Sequence, residues 1–304
     1  MLQKRSEAGA DRSTDIETVS STFMDYGYMD ERFRENPLPL KAHHEPCRYA
    51  IQLYHHVVGD LGVKGKHVLE VGSGRGGGSN YVAEYLEPAS VTGLDLSSAA
   101  IDFCRRAHTA DRLTFVEGTA MDLPFKDSSF DIVMNVESSH CYPSFDKFLS
   151  EAARVLRPGG LFSWVDARFD DRLLDLERSF ALSGLDLVRQ TDITQNVVQA
   201  LDAISDDKKR VIEEKIPRPF RPLIMSGVAV RGTLVYNALE SGKLRYLSKV
   251  LRKPDRAAGE EANYPFDWSA AERFDPGAGS TLRRFQRTKT WMSRYISSKK
   301  PTII

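Results

Sequence analysis

The sequence has few cysteines and no long apolar run, and these two absences exclude several classes of protein. Its three cysteines, Cys47, Cys104 and Cys141, are too few and too widely spaced for a disulfide framework or a zinc site. No apolar run approaches the roughly 18 residues that cross a bilayer. The N-terminal sequence MLQKRSEAGADRSTD lacks the apolar region of a signal peptide. We therefore expect a cytoplasmic protein with no membrane span.

The chain also lacks a net charge and a set of metal ligands. Its 42 Lys and Arg side chains balance its 42 Asp and Glu side chains, so the overall charge does not favour nucleic acid as a partner. The histidines in the pairs His43-His44 and His55-His56 are adjacent, and adjacent side chains on a helix point about 100° apart. Because no cysteine or carboxylate cluster completes either pair, we expect no metal site.

The first half of the chain alternates between predicted strands and helices. A first helix is predicted within residues 44–62, and further helices run from Ser79 to Leu86, from Ser97 onward and from Phe145 to Leu156. Short apolar or β-branched strands separate them, in the segments HVLEV, SVTGLDL, LTFVEG, FDIVMNV and GLFSWVDA. This alternation predicts an α/β fold with a mostly parallel sheet and helices on both faces.

The second half is more helical. Helices are predicted around Leu173–Leu182, Gln195–Lys215 and Val228–Glu240, and two more strands in LDLVRQTDIT and KLRYLSKVL bring the sheet to seven. These elements divide the chain into three parts, which are an N-terminal arm or lid (1–40), a catalytic domain (41–253, with substrate-lid helices in 170–242) and a C-terminal extension (254–304).

Both ends of the chain are rich in aromatic residues outside the predicted core elements. Residues 23–40, FMDYGYMDERFRENPLPL, are too irregular for a long helix. The extension carries several large aromatic residues, among them Trp268, Phe274, Phe285, Trp291 and Tyr295. Such density suggests packing on a ligand or on a neighbouring subunit, although an arm that merely covers the edge of the domain fits as well. We expect a homo-oligomer with exchanged N-terminal arms and an extension that docks by its aromatic side chains.

A glycine-rich segment, LEVGSGRGGGSN, follows the first strand and fits two cofactor templates. Gly72, Gly74 and Gly77 match the G-x-G-x-x-G of dinucleotide sites, and Glu70, Gly72, Gly74 and Gly76 match E-x-G-x-G-x-G. A dinucleotide needs its pyrophosphate at the next helix N-terminus, whereas S-adenosylmethionine carries an α-amino acid and a sulfonium cation. An acidic residue at position 70 favours the cationic cofactor, although a carboxylate there can also serve as a structural partner.

Two further acidic residues follow later strands. Asp95 ends the second strand, where a carboxylate can accept hydrogen bonds from both ribose hydroxyls of either cofactor. Asp122 lies in the loop after the third strand, where a carboxylate can accept from an adenine amino group beside the backbone of Ala120 and Met121. A helix that ends in Pro158-Gly159-Gly160 then leads into the fifth strand.

With these motifs in order, the chain resembles the class I S-adenosylmethionine-dependent methyltransferases over roughly residues 40–253. The resemblance rests on LEVGSGRGGG, TGLDLS, GTAMDLPFKDSSFDIV and EAARVLRPGG. The segments LPLKAHHEP, LYHHV and above all NVESSHCYP are similar to the bacterial branch of phthiotriolone and phenolphthiotriolone dimycocerosate O-methyltransferases. The resemblance implies a Rossmann-like fold, S-adenosylmethionine as methyl donor, S-adenosylhomocysteine as product, and a bulky apolar small molecule as acceptor.

The resemblance also implies roles for individual residues. The glycine loop would face the methionine moiety, with Glu70 beneath its amino group, while Asp95 would hold the ribose and Leu96 would flank the adenine. Asn135 would offer its main-chain carbonyl, and Tyr28 would close over the cofactor from the arm. The full set of predicted cofactor-binding residues is Glu70, Gly72, Ser73, Gly74, Gly76, Asp95, Leu96, Ala120, Met121, Asp122, Asn135 and Tyr28.

The catalytic candidates lie in the loop after the fourth strand and at the end of the fifth. An imidazole pKa of about 6.5 lets His140 accept a proton at neutral pH, so it is the preferred general base. Asp166 is placed to orient its ring, and Glu137 lies in the same loop. Alternatively, His140 donates to a backbone carbonyl and only shapes the loop, and Asp166 is a solvated strand end.

These features favour O-methylation of a bulky apolar metabolite. C-methylation of a prenylated or aromatic compound by the same cofactor is the nearest alternative, and it would depend more on aromatic faces than on a base. Two readings of a different class are a nicotinamide-dependent oxidoreductase that uses the same glycines and a non-catalytic binding protein.

Overall fold

The structure is a computed structural model, and it describes residues 22–227, 229–255 and 264–265. Within these residues a seven-stranded sheet runs in the order β3-β2-β1-β4-β5-β7-β6. The strands from β1 to β5 pair in parallel, while β7 pairs antiparallel with both β5 and β6. The strands are β1 (His67–Val71), β2 (Ser90–Asp95), β3 (Leu113–Glu117), β4 (Phe130–Val136), β5 (Leu156–Phe169), β6 (Asp186–Asp192) and β7 (Leu244–Arg252).

Helices cover both faces of this sheet, as the sequence predicted. They are α1 (Glu31–Glu35), α2 (Arg48–Val58), α3 (Gly77–Tyr85), α4 (Ser98–Ala107), α5 (Phe145–Val155), α6 (Leu173–Leu182), α7 (Thr194–Lys215), α8 (Arg221–Gly227) and α9 (Leu234–Glu240). No helix among the described residues is long and apolar enough to cross a membrane.

Alternate residues of the central strands supply two separate cores. Val68 of β1 belongs to the core that α2, α7 and α9 cover, whereas its neighbour Leu69 belongs to the core that α5 and α6 cover. Ile132 and Val133 of β4 divide between the same two cores. This alternation follows from the two-residue period of a strand, and it explains why the central strands read as continuous apolar runs.

The strand order places a crevice at the carboxyl ends of β1 and β4. The chain leaves β1 toward β2 and β3 on one side, then returns to form β4 on the other side. In open α/β sheets such a reversal point is where ligands bind, because the two connections diverge there. The glycine loop after β1 and the loop after β4 both lie at this edge.

Three predicted boundaries differ from the structure. Helix α3 begins at Gly77 rather than Ser79, directly after Gly76 with a φ of 81°. Residues 229–233 are not helical, because Ala229 and Gly232 adopt φ angles of 53° and 86°, so α9 begins only at Leu234. The segment Pro158–Gly160 lies inside β5, where the Gly159 N–H donates to Lys253 and the Gly160 carbonyl accepts from it.

The two ends of the chain are described in part. The arm carries the short helix α1, and its residue Met29 exchanges two hydrogen bonds with Asn196 of α7. In the extension, the Tyr264 hydroxyl donates to Glu177. The five aromatic residues predicted to dock lie outside the described residues: Trp268, Phe274, Phe285, Trp291 and Tyr295.

Candidate functional site

The glycine loop after β1 holds its backbone open to the crevice. Gly72, Gly74 and Gly76 have φ angles of 79°, 53° and 81°, which side chains disfavour. A Cβ at Gly72 would lie 2.3 Å from Ser138 Oγ and 2.8 Å from the Tyr142 hydroxyl. The N–H groups of Gly72 and Ser73 donate to the Leu94 carbonyl, which fastens the loop to β2. The glycines therefore let the loop backbone pass close to Ser138 and Tyr142 in the loop after β4.

Glu70 lies beneath this loop and is completely buried. Its Oε1 accepts from the Tyr54 hydroxyl at 3.0 Å and its Oε2 accepts from Ser79 Oγ at 2.5 Å. Burial raises the pKa of Glu70 to about 7, against the lowering effect of these hydrogen bonds. The carboxylate thus joins α2 and α3 to β1 through hydrogen bonds. Its position beneath the amino group of a ligand stays a prediction.

Asp95 and Leu96 form the next part of the crevice, at the end of β2. The Asp95 carboxylate accepts from the Gly74 N–H at 2.8 Å and from the Ser97 N–H at 2.9 Å. Burial raises the pKa of this carboxyl. Leu96 beside it exposes 75% of its surface, which is unusual for a leucine and leaves an apolar platform next to a hydrogen-bond acceptor. A ribose and an adenine ring have complementary chemistry.

The adenine-binding residues predicted after β3 form a tight turn. The Asp122 N–H donates to the Thr119 carbonyl at 3.2 Å, and the Met121 N–H donates to Thr119 Oγ1 at 3.2 Å. Ala120 is buried and the Asp122 side chain is exposed. The turn therefore presents a carboxylate outward at the same edge of the sheet.

Asn135 joins the two central strands at this edge. Its Nδ2 lies within hydrogen-bond distance of the Val71 carbonyl (2.8 Å), Ser138 Oγ (2.7 Å) and the Tyr142 hydroxyl (3.0 Å). Its Oδ1 is buried and has no hydrogen-bond partner among the described residues, and the same holds for Ser73 Oγ in the glycine loop. Buried polar atoms are normally hydrogen-bonded, so these two orphaned atoms fit a polar ligand in the crevice.

His140 and Asp166 meet in the loop after β4. His140 Nδ1 lies 2.7 Å from Asp166 Oδ1, and the His140 N–H donates to Asp166 Oδ2 at 2.9 Å. Ser139 Oγ donates to Oδ2 at 2.8 Å, and Arg168 Nη1 lies 2.9 Å from the same oxygen. A carboxylate at Nδ1 places the proton on that nitrogen and makes Nε2 the basic one. The structure thus brings the predicted pair together with its orientation fixed.

Glu137 has different partners from the His140 pair. It has a φ of 45°, and its Oε1 accepts from the Tyr26 N–H at 2.7 Å and from the Tyr246 hydroxyl. Its own N–H donates to the Val165 carbonyl at 2.9 Å. The carboxylate therefore holds the N-terminal arm and β7 at the end of β4.

The arm touches the glycine loop through residues that the sequence did not single out. A Cβ at Gly74 would lie 3.4 Å from Met24 Sδ, and a Cβ at Gly77 would lie 2.9 Å from Thr22. Tyr28 instead stacks on His56, with ring centroids 4.6 Å apart, and donates its hydroxyl to Asp30 at 2.7 Å. The packing of the arm's aromatic residues on a ligand or a neighbouring subunit, and the closure of Tyr28 over the cofactor, stay predictions.

The histidine pairs take part in packing rather than in the crevice. His44, His43 and Glu84 bring three potential ligand atoms within 4.8 Å of one another. His44 Nδ1, however, is hydrogen-bonded to the Tyr85 hydroxyl at 2.7 Å, and Glu84 Oε2 is ion-paired with Lys41 Nζ at 2.5 Å. A metal ion would have to displace these partners. Glu84 is a carboxylate neighbour of this pair that the sequence did not indicate, and the absence of a metal site stays a prediction.

Comparisons with known proteins agree with this geometry. The profile of a family described as "Methyltransferase domain" matches residues 69–164. A fatty-acid O-methyltransferase from Mycolicibacterium smegmatis is 44% identical over 236 residues, which cover 76% of this chain and 83% of the relative. A phthiotriol/phenolphthiotriol dimycocerosates methyltransferase from Mycobacterium tuberculosis is 40% identical over 222 residues, which cover 72% of this chain and 82% of the relative.

A solved structure shares the fold at low sequence identity. It is a putative sarcosine dimethylglycine methyltransferase from Galdieria sulphuraria, with a TM-score of 0.64 and 17% identity. The match covers 80% of this chain and 97% of that one. The matched family segment, 69–164, contains the glycine loop, Asp95, the Thr119–Asp122 turn and His140.

Proposed function

Since the chain belongs to the S-adenosylmethionine-dependent methyltransferases together with these two mycobacterial relatives, we propose that it methylates an oxygen of a bulky, lipid-like acceptor with His140 as general base. Membership in this family replaces the nicotinamide and non-catalytic readings of the sequence. The names of the two relatives, which refer to a fatty acid and to phthiotriol derivatives, support a lipid-like acceptor. The His140–Asp166 contact at 2.7 Å carries the proposal of a base.

The residues of the crevice fit the methyl donor. S-adenosylmethionine supplies a methyl group that its sulfonium already activates, so the protein has to align the acceptor and remove a proton. In the proposal, the glycine loop receives the methionine moiety, Asp95 the ribose, Leu96 the adenine face and Asp122 the adenine amino group. The orphaned polar atoms of Ser73 and Asn135 are further candidates for contact with it.

His140 would take the acceptor's hydroxyl proton at Nε2. The side chain of His140 is 8% exposed and that of Asp166 is fully buried, so the pair is largely shielded from water. Asp166 stabilises the imidazolium that forms, because a negative charge at Nδ1 opposes the new positive charge. Arg168 stacks over the rings of Trp164 and Phe145, 5.2 and 5.5 Å from their centroids, and supports the ionised state of Asp166.

The helical lid region supplies apolar surface for the acceptor. Six large hydrophobic side chains of the described residues are exposed, and four of them lie within the predicted lid, 170–242, namely Leu182, Val188, Phe220 and Leu234. The other two, Met24 and Leu96, lie beside the cofactor residues. In the proposal, the apolar part of the acceptor lies against this region, and the lipid-like acceptors in the names of the two relatives support that placement.

Two further predictions belong to the proposal. The first is that the protein works in the reducing cytoplasm, because its three cysteines are too few and too widely spaced for a disulfide framework. A homo-oligomer with exchanged arms is the second, and its test is the molar mass in solution measured by light scattering, because a monomeric mass would remove it.

The proposed base is tested by His140→Ala with a long-chain alcohol as acceptor. We expect turnover to fall by about 10²- to 10⁴-fold, because the general base is lost, while the dissociation constant of S-adenosylhomocysteine stays within about twofold. Full turnover would exclude His140 as the base. Undiminished C-methylation of a prenylated aromatic compound, without any methyl ether, would instead favour the alternative acceptor chemistry.

A further inference from the structure

Asp25 in the N-terminal arm has a buried carboxylate oxygen with no partner. Its Oδ1 accepts from the Gly27 N–H at 2.9 Å, but Oδ2 is buried and has no hydrogen-bond partner among the described residues. An unpaired carboxylate oxygen away from water costs several times more than a neutral polar atom. Such a group is retained when a ligand completes it, so Oδ2 points to a donor that binds there.

Charged groups surround Asp25. Burial and the charge of Glu137 raise the pKa of Asp25 to about 7, against the lowering effect of Lys208 in α7. The titratable groups that face Asp25 from the elements packed against it are Glu137, Lys208, Tyr246, Tyr54 and Cys47.

The neighbours of Asp25 place it beside the cofactor crevice. Met24, the preceding residue, lies against Gly74, and Tyr26, the following residue, is bonded to Glu137 at the end of β4. The Tyr54 hydroxyl, whose pKa the Asp25 charge raises, donates to Glu70 beneath the glycine loop. These contacts place Asp25 between the glycine loop and the end of β4, on the side of the crevice where the methionine moiety is expected.

We propose that Asp25 is a cofactor ligand, and that its Oδ2 accepts a hydrogen bond from the α-ammonium group of the methyl donor. The ammonium group supplies the missing donor together with a positive charge. A charged donor makes a stronger hydrogen bond to a buried carboxylate than the neutral hydroxyl of an acceptor does. The proposal concerns the methionine end of the cofactor and is independent of the acceptor and of His140.

Two ligands that differ only in the amino-acid portion test this assignment. S-adenosylhomocysteine carries the α-ammonium group, and 5′-methylthioadenosine lacks the whole amino-acid portion. Calorimetric titration gives their dissociation constants for the wild type and for Asp25→Asn. We expect Asp25→Asn to weaken the affinity for S-adenosylhomocysteine by about tenfold or more, because a charged hydrogen bond is lost. The affinity for 5′-methylthioadenosine should change by less than about twofold. Glu35→Gln, at an exposed position in α1 of the same arm, is the matched control and should change neither.

Three results would overturn the proposal. They are an unchanged affinity for S-adenosylhomocysteine, an equal loss of affinity for both ligands, and a raised KM for the acceptor with cofactor affinity intact. The last result would assign Oδ2 to the acceptor. These outcomes are distinct from failure of the proposed function, which would appear as absent O-methylation by the wild type with cofactor binding intact.

A second measurement is the pH dependence of binding. An ammonium ligand binds the ionised form of Asp25, so the affinity of the wild type for S-adenosylhomocysteine should rise several-fold between pH 6 and pH 8. The rise should be much smaller in Asp25→Asn, which keeps Glu70 with its raised pKa of about 7. The affinity for 5′-methylthioadenosine should stay flat over that range. A flat profile for both ligands would contradict the assignment.

Discussion

The imidazole Nδ1 of His140 lies 2.7 Å from Asp166 Oδ1, and the backbone N–H of the same histidine donates to the other carboxylate oxygen at 2.9 Å. One carboxylate thus fixes both the position of the loop and the tautomer of the ring. The two residues come from different strand ends, 26 positions apart in the chain. Parallel pairing of β4 with β5 is what brings them together.

This contact predicts the effect of Asp166→Asn. An amide at Nδ1 no longer stabilises an imidazolium, so kcat with a hydroxyl acceptor should fall by about 10²- to 10⁴-fold. The affinity for S-adenosylhomocysteine should stay within about twofold. Asp170→Asn, at an exposed position just beyond β5, is the matched control. Steady-state kinetics with calorimetry checks both, and an unchanged kcat for Asp166→Asn would refute the role of the pair.

A second prediction separates acceptors by their need for a base. A fatty acid is ionised at neutral pH, so methylation of its carboxylate releases no proton in the transfer step. The turnover of His140→Ala with a fatty acid should therefore stay within about tenfold of the wild-type value. Its turnover with an alcohol should fall by about 10²-fold or more. The comparison uses an alcohol and an acid of equal chain length, with product quantified by mass spectrometry. Equal losses for both acceptors would show that His140 acts by shaping the loop.

A third prediction concerns the close approach at Gly72. Gly72→Ala places a methyl group 2.3 Å from Ser138 Oγ at a φ of 79°, so the loop must move. We expect the affinity for S-adenosylhomocysteine to fall by about tenfold or more. Gly62→Ala is the control, because its φ is 65° and a Cβ there meets nothing within 4 Å. Gly62→Ala should lower the free energy of unfolding by about 1 kcal/mol, because alanine disfavours a positive φ, and should leave the affinity for S-adenosylhomocysteine unchanged. Equal affinity in the two variants would mean that the loop tolerates a side chain.

A fourth prediction distinguishes Asp95 from Asp25. Asp95→Ala removes the acceptor for the Gly74 and Ser97 N–H groups and for the ribose. Because 5′-methylthioadenosine keeps the ribose, its affinity should fall by about tenfold or more along with that of S-adenosylhomocysteine. An unchanged affinity for 5′-methylthioadenosine would place the ribose elsewhere.

A fifth prediction follows from two buried acids. Burial raises the pKa of both Asp25 and Glu70 to about 7, above the usual values of 3.8 and 4.5. At a pH between the usual pKa and the raised pKa, each group keeps its proton in the folded state but has lost it in the unfolded state. Its contribution to the free energy of unfolding therefore falls as pH rises through this range. The slope is at most about 1.4 kcal/mol per pH unit for each group.

The double variant Asp25→Asn, Glu70→Gln should therefore gain stability relative to the wild type as pH rises from 5 to 8. Urea titration of the ligand-free protein at both pH values measures the difference. A variant that is less stable than the wild type by the same amount at both pH values would show that neither acid is strained by its burial.

Local pattern was sufficient to predict much of the fold. Helix α6 and strand β4 have the predicted bounds, because apolar periodicity decides such elements. The helix predicted from Val228 failed at residues 229–233, where the positive φ of Ala229 interrupts it. A positive φ at an alanine is imposed by tertiary contacts, and it leaves no signal in the sequence.

Part of the candidate site could likewise be predicted from local sequence, and part could not. The glycine loop, Asp95 and the His140–Asp166 pair could be predicted because each lies at a strand end, and parallel strands share one edge. The contact of Tyr26 with Glu137 joins residues 111 positions apart, and nothing local indicates it. Asp25 was missed for that reason, since its importance comes from what the folded arm encloses.

The most direct test of the central claim is the identity of the product made from methyl-labelled S-adenosylmethionine and a long-chain secondary alcohol. Mass spectrometry and NMR of the extracted lipid locate the label. We predict a methyl ether, formed by the wild type and reduced by about 10² or more in His140→Ala. Label on carbon, or a methyl ether formed equally well by the variant, would contradict O-methylation through this base.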